Sequence, residues 1–179
     1  MLFRSSGSIL ERRVPPTSFR GQHFSLEPLP AGQSYVTKNT LVVERQLMLS
    51  LGGFDASLAA CEWIDLFLRL NPVCSLLGLS TITYQLTRDS GYHFSRDTQK
   101  RHRGFRLLVD KHRELFIAYP EGYANALLGE ARMALASGAL TTAMRDMAEA
   151  AWIAPRHTIL ALANPRRAIR AIRDLRKSG

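Results

Sequence analysis

The chain has 179 residues, with 24 Lys or Arg against 15 Asp or Glu and a net charge of +9. A hydrophobic fraction of 46% and a charged fraction of 22% exclude wholesale disorder, and only two cysteines, Cys61 and Cys74, exclude a disulfide scaffold. No apolar run reaches the roughly 18 residues a membrane-spanning helix needs, and the apolar part of Met1 to Leu10 is too short for a signal peptide.

Residues 1–34 read as an irregular arm, punctuated by Pro15, Pro16, Pro28 and Pro30 and by Gly7, Gly21 and Gly32. His23 and Glu27 are a thin metal candidate, and a packed or solvated loop histidine is the simpler reading at that spacing. The stretch from Tyr35 to Leu70 is the one around which the chain is organised. Thr40 to Val43 is β-branched and apolar, the composition of a buried strand. Gln46 to Leu51 forms a helix that Gly52 and Gly53 stop. Phe54 supplies an aromatic to a core, and Asp55 is a short acceptor suited to a turn. From Cys61 the pattern is helical. Ile64, Leu66, Phe67 and Leu70 share one apolar stripe, and Glu62, Asp65 and Arg69 are neighbours at spacings of three and four.

Asn71 and Pro72 break this helix. Ser75 to Leu86 reads as one strand or two short ones, and Ser90 to Ser95 as a loop. Arg96 to Phe116 is a long basic helix with an apolar face at Phe105, Leu108, Val109, His112, Leu115 and Phe116. No aromatic stacking platform interrupts its charge, so a solvated face is favoured over nucleic-acid binding. Asn164 and Pro165 open a last helix in which Ile169, Ile172 and Leu175 alternate with six basic residues. That pattern suits either an anionic membrane surface or docking through the isoleucine side.

The central stretch resembles the acceptor-side half of family 2 glycosyltransferases of the GT-A fold. The matching residues are Glu44 and Arg45, then Gly52, Gly53, Phe54, Asp55 and Leu58, then Glu62, Asp65, Leu66, Leu68 and Arg69. The resemblance covers about Thr37 to Phe116. Trp63 stands where the family carries the Asp taken as catalytic base. The family's nucleotide-binding half and its DxD metal motif have no counterpart in the sequence. Tyr123 to His157 resembles a single tetratricopeptide-type hairpin. Leu127, Ala131 and Ala134 line the first helix, Gly138 and Leu140 make the turn, and Ala143, Met147, Ala150 and Pro155 come after it at the repeat's spacing.

These likenesses imply an α/β fold class, a partial GT-A-like half with an all-helical C-terminal extension. The implied domains are 1–34, 35–118 and 119–179. They imply a partial or split enzyme moving a sugar from a nucleotide-sugar donor to a saccharide or lipid-linked acceptor. Glu62 is the first candidate base and Asp65 the second. Asp55, Trp63, Arg69 and His93 are candidate substrate-binding residues. Trp63 is either a sugar-stacking platform or a core residue. No cofactor is expected in this chain, since a divalent metal would come only with a complementary nucleotide-binding chain. The implied setting is the cytoplasm, with peripheral contact to the inner face of a membrane. A non-catalytic binding or scaffold module is the alternative.

Overall fold

The computed structural model describes residues 2–5, 8–12, 18–19, 41–77, 85–87 and 97–163. These fall into two compact units, Met1–Arg96 and Asp97–Gly179. Over residues 41–75 and 97–163, helix accounts for 74% and no residue lies in a strand. The expected α/β class is therefore corrected to a predominantly helical one.

In the first unit the strands are short. Leu2–Ser5 (β1) pairs antiparallel with Ser8–Arg12 (β2) and parallel with Gln85–Thr87 (β5), and Ser18–Phe19 (β3) pairs with Leu76–Leu77 (β4). An irregular arm was expected where β1, β2 and β3 form. The strand expected at Thr40 to Val43 is absent from its described part, residues 41–43. Val42 is 95% exposed, while Leu41 and Val43 pack against the helical core. Apolar composition alone does not supply the pairing partner a strand needs.

Arg45–Ser50 (α1) and Glu62–Leu70 (α2) form that core. Leu66, Phe67 and Leu70 are buried, and Leu47, Met48, Leu51 and Trp63 close over them.

The described residues of the second unit form five helices and the short connections between them. Thr98–Lys111 (α3) begins at Asp97, whose carboxylate accepts from the Lys100 backbone N–H at 3.0 Å, satisfying one orphan donor of the first turn. The expected continuous helix to Phe116 breaks at His112, and Arg113–Ala118 (α4) forms a separate short helix after it. Pro120–Ala136 (α5) and Leu140–Ile153 (α6) form a hairpin. Gly138 turns between them at a φ of 78°, a region glycine enters without strain. Leu127, Ala131, Ala134, Ala143 and Ala150 are buried along the hairpin, and the small alanine side chains let the two axes approach closely. Pro155–Ala163 (α7) closes on it through Thr158, whose hydroxyl donates to the Ala150 carbonyl at 2.8 Å. At the junction of α3, α4 and α5 Phe116 packs edge to face with Phe105 and with Tyr123, and the Phe105 and Tyr123 rings are tilted against each other. Among the described residues no helix is long and apolar enough to cross a membrane.

Candidate functional site

The candidate residues gather on the α1–turn–α2 element. Gly52 and Gly53 end α1 at φ values of 77° and 67°, and the Gly53 N–H donates back to the Met48 carbonyl at 3.0 Å. This is the left-handed helix stop that glycine permits. The Asp55 carboxylate accepts from the Ser57 backbone N–H at 2.9 Å and from its hydroxyl at 2.6 Å. Asp55 is thus engaged in holding its own turn.

Arg69, at the end of α2, ties the element together. Its guanidinium donates to the Leu51 carbonyl at 2.5 Å and the Gly53 carbonyl at 2.7 Å. It also donates twice to Asp65, at 2.6 and 3.0 Å. Asp65 is fully buried, so its carboxylate orients Arg69 and lies out of reach of an acceptor hydroxyl. A general base must come within hydrogen-bond distance of the proton it takes.

Trp63 stands edge-on to Phe54, ring centroids 4.8 Å apart, and lies 6.4 Å from Phe67. Phe67 belongs to the buried core, whereas Phe54, expected to supply a core aromatic, is 44% exposed, so Trp63 packs at the edge of that core. Glu62 differs from its neighbours. It lies on the first turn of α2, partly exposed, and its carboxylate has no hydrogen bond or ion pair among the described residues. The structure therefore brings Glu62, Trp63, Asp65, Arg69 and Asp55 onto one element, and of these carboxylates it leaves Glu62 open. His93 lies outside the described residues, as do His23 and Glu27. Among the described residues no three His, Cys, Asp or Glu side chains converge as metal ligands.

A second polar cluster, in the Asp97–Gly179 unit, was not anticipated from sequence. Asp146 is fully buried on α6 and accepts from Arg106 at 2.5 Å. Arg106 also donates to Glu149 at 2.7 Å, and the Tyr123 hydroxyl donates to Glu149 at 2.6 Å. His102 lies 3.5 Å from Asp146, and Arg145 reaches its other ring nitrogen at 2.7 Å. Burial pushes the Tyr123 phenol up, and its bond to the Glu149 carboxylate adds to the shift. Burial pulls the Arg106 guanidinium down, but hydrogen bonds and charge from Glu149 and Asp146 outweigh it and raise it overall. The pairs lie some 40 residues apart in sequence, beyond any local spacing rule.

Comparison with family models, with curated proteins and with solved structures gave no match.

Proposed function

We propose that the chain is the acceptor-side part of a split or partial family 2-like glycosyltransferase of the cytoplasm, with Glu62 as the base. One observation carries this reading. Among the residues that bear the resemblance, Arg69 bonds Asp65 and the Gly53 carbonyl, and at the start of α2 Glu62 keeps a partly exposed carboxylate with no hydrogen bond or ion pair among the described residues. In an inverting transfer the base deprotonates the acceptor hydroxyl as it attacks the sugar's anomeric carbon. The proton passes to Glu62, and the nucleotide diphosphate leaves with the bonding pair. A complementary chain would hold the nucleotide, since the sequence carries no DxD metal motif of the kind the resemblance calls for. The α/β architecture of the family, overturned by the helical content of the described residues, is not part of this reading.

The test is a mass-shift transfer assay on the chain reconstituted with a nucleotide-binding partner. Glu62→Gln is expected to lower turnover by about a hundredfold to ten-thousandfold with folding retained. Parental activity in Glu62→Gln would remove the assignment. A non-catalytic binding module is the second reading, favoured by the burial of Asp65 and the packing of Trp63. It predicts that saccharide is bound and that no partner chain elicits transfer.

A further inference from the structure

From Leu140 to Ala163 no acidic residue is fully exposed, although Glu149 keeps 30% of its side chain exposed and Glu121 of α5, 74% exposed, lies 3.5 Å from His157 of α7. From Leu140 to Ala163 the exposed positions are apolar, threonine or proline, apart from Arg145 and Arg156. The two acids of α6 are drawn inward. Asp146 is buried, and Glu149 is held by Arg106 and Tyr123. Leu140, Met144, Ala148 and Trp152 recur every fourth residue and form one ridge of α6. Trp152 is 89% exposed, and Leu160 on α7 is 71% exposed. Scattered apolar side chains are ordinary on a surface, but a continuous apolar ridge marks a contact.

The charge on the face decides what it contacts. A second copy would add to the face the same two exposed arginines, Arg145 and Arg156, with no fully exposed acid between Leu140 and Ala163 to offset them, and excess charge of one sign opposes such a pairing. An anionic surface complements Arg145 and Arg156 and accepts the apolar ridge. Tryptophan suits such a boundary because its ring is apolar and its N–H is polar. The sequence directly after α7 adds Arg166, Arg167, Arg170, Arg173, Arg176 and Lys177 against Asp174, charge of the same sign.

We propose that this face rests on an anionic lipid surface. Trp152, Met144 and Leu160 enter the headgroup boundary, and Arg145 and Arg156 meet lipid phosphates. The proposal does not depend on the transferase reading.

Cosedimentation of the full chain with vesicles tests it, using phosphatidylcholine alone or mixed with phosphatidylglycerol. Binding is expected only with the anionic mixture and should weaken with salt. Trp152→Ser should weaken binding about tenfold or more, while Trp152→Phe retains most of it. Arg145→Gln with Arg156→Gln should weaken it roughly 25-fold, from about 1 kcal/mol per basic residue. A variant with Arg166, Arg167, Arg170 and Arg173 changed to Gln separates the terminal charge from the helical face. Equal binding to neutral vesicles, or binding indifferent to Trp152 and the arginine pair, would overturn the proposal. So would an absence of binding to the anionic vesicles, and a dimer that Trp152→Ser dissolves would then assign the face to a second copy.

Discussion

Arg69 donates to the Gly53 carbonyl oxygen across 16 residues of sequence, at 2.7 Å. That bond, with the one to Leu51, fastens the end of α2 to the turn that closes α1. Asp65 makes the arrangement costly to disturb. Its carboxylate is fully buried and is paired with Arg69.

Arg69→Met is therefore expected to destabilise strongly, by about 3 kcal/mol, because breaking a buried pair leaves a carboxylate uncompensated. Arg69→Lys should recover little, since one ammonium cannot serve two carbonyls and a carboxylate in a planar fork. The double change Asp65→Leu with Arg69→Met should restore part of the loss, because no buried charge then lacks a partner. Urea unfolding of the three variants measures this. A loss below about 1 kcal/mol for Arg69→Met, the range of an exposed pair, would show that the clamp holds little.

Cys61, which precedes α2, sits at a φ of 67°. A non-glycine residue there carries roughly 1–2 kcal/mol of strain. Asparagine tolerates this region better than most side chains. Cys61→Asn is expected to keep or raise the thermal midpoint, whereas Cys61→Val should lower it clearly, being β-branched. If the valine variant melted with the parent, the backbone at this position would differ from the one described.

The sequence made some of this legible and hid the rest for physical reasons. Ala131, Ala134, Ala143 and Ala150 were readable as the buried seam of a hairpin, because small residues at helical spacing have one principal use. The glycine stop after α1 was readable because positive φ favours glycine so strongly. The segment ending at Val43 misled, because β-branched composition reports a fit to a pleated surface and not the presence of a neighbouring strand. The break at His112 was hidden inside an apolar spacing that continues across it. The spacing of Asp65 and Arg69 was visible, but burial of the carboxylate was not, and that burial decides between a base and a clamp. Asp146 and Arg106 could not be paired by any local rule.

The Arg106 cluster gives a third expectation. Asp146→Leu alone leaves Arg106 with Glu149 as its remaining acid partner and opens His102 to an apolar neighbour. A loss of about 3 kcal/mol is expected, as for other broken buried pairs. Arg106→Met together with Asp146→Leu should cost less than the sum of the two single changes, since the groups share one network. A double-mutant cycle by urea unfolding reads the coupling directly. Strict additivity would mean that Arg106 is held by Glu149 alone.

Tyr123 offers a pH test of the same cluster. Its phenol is raised above the ordinary tyrosine value, first by burial and then by its bond to the Glu149 carboxylate. In the folded chain the proton is therefore retained where the unfolded chain has lost it. The unfolded state then binds fewer protons, so stability falls as pH rises. The window opens near the ordinary tyrosine value of about 10 and extends up to the raised folded value. Below that window the contribution is fully present. Tyr123→Phe removes the hydroxyl and should cost about 1 kcal/mol at neutral pH, with Glu149 still held by Arg106. Above pH of about 10 the gap between parent and variant should narrow, by at most about 1.4 kcal/mol per pH unit. Tyr123 is only partly buried, so solvent screening places the real slope below that limit. Lysines and other tyrosines titrate equally in both proteins and cancel in the difference. Urea unfolding of the pair from neutral to alkaline pH measures the gap. A gap constant through the alkaline range would mean that the Tyr123 proton is no better held in the folded chain than in the unfolded one, and the hydroxyl would then contribute packing alone.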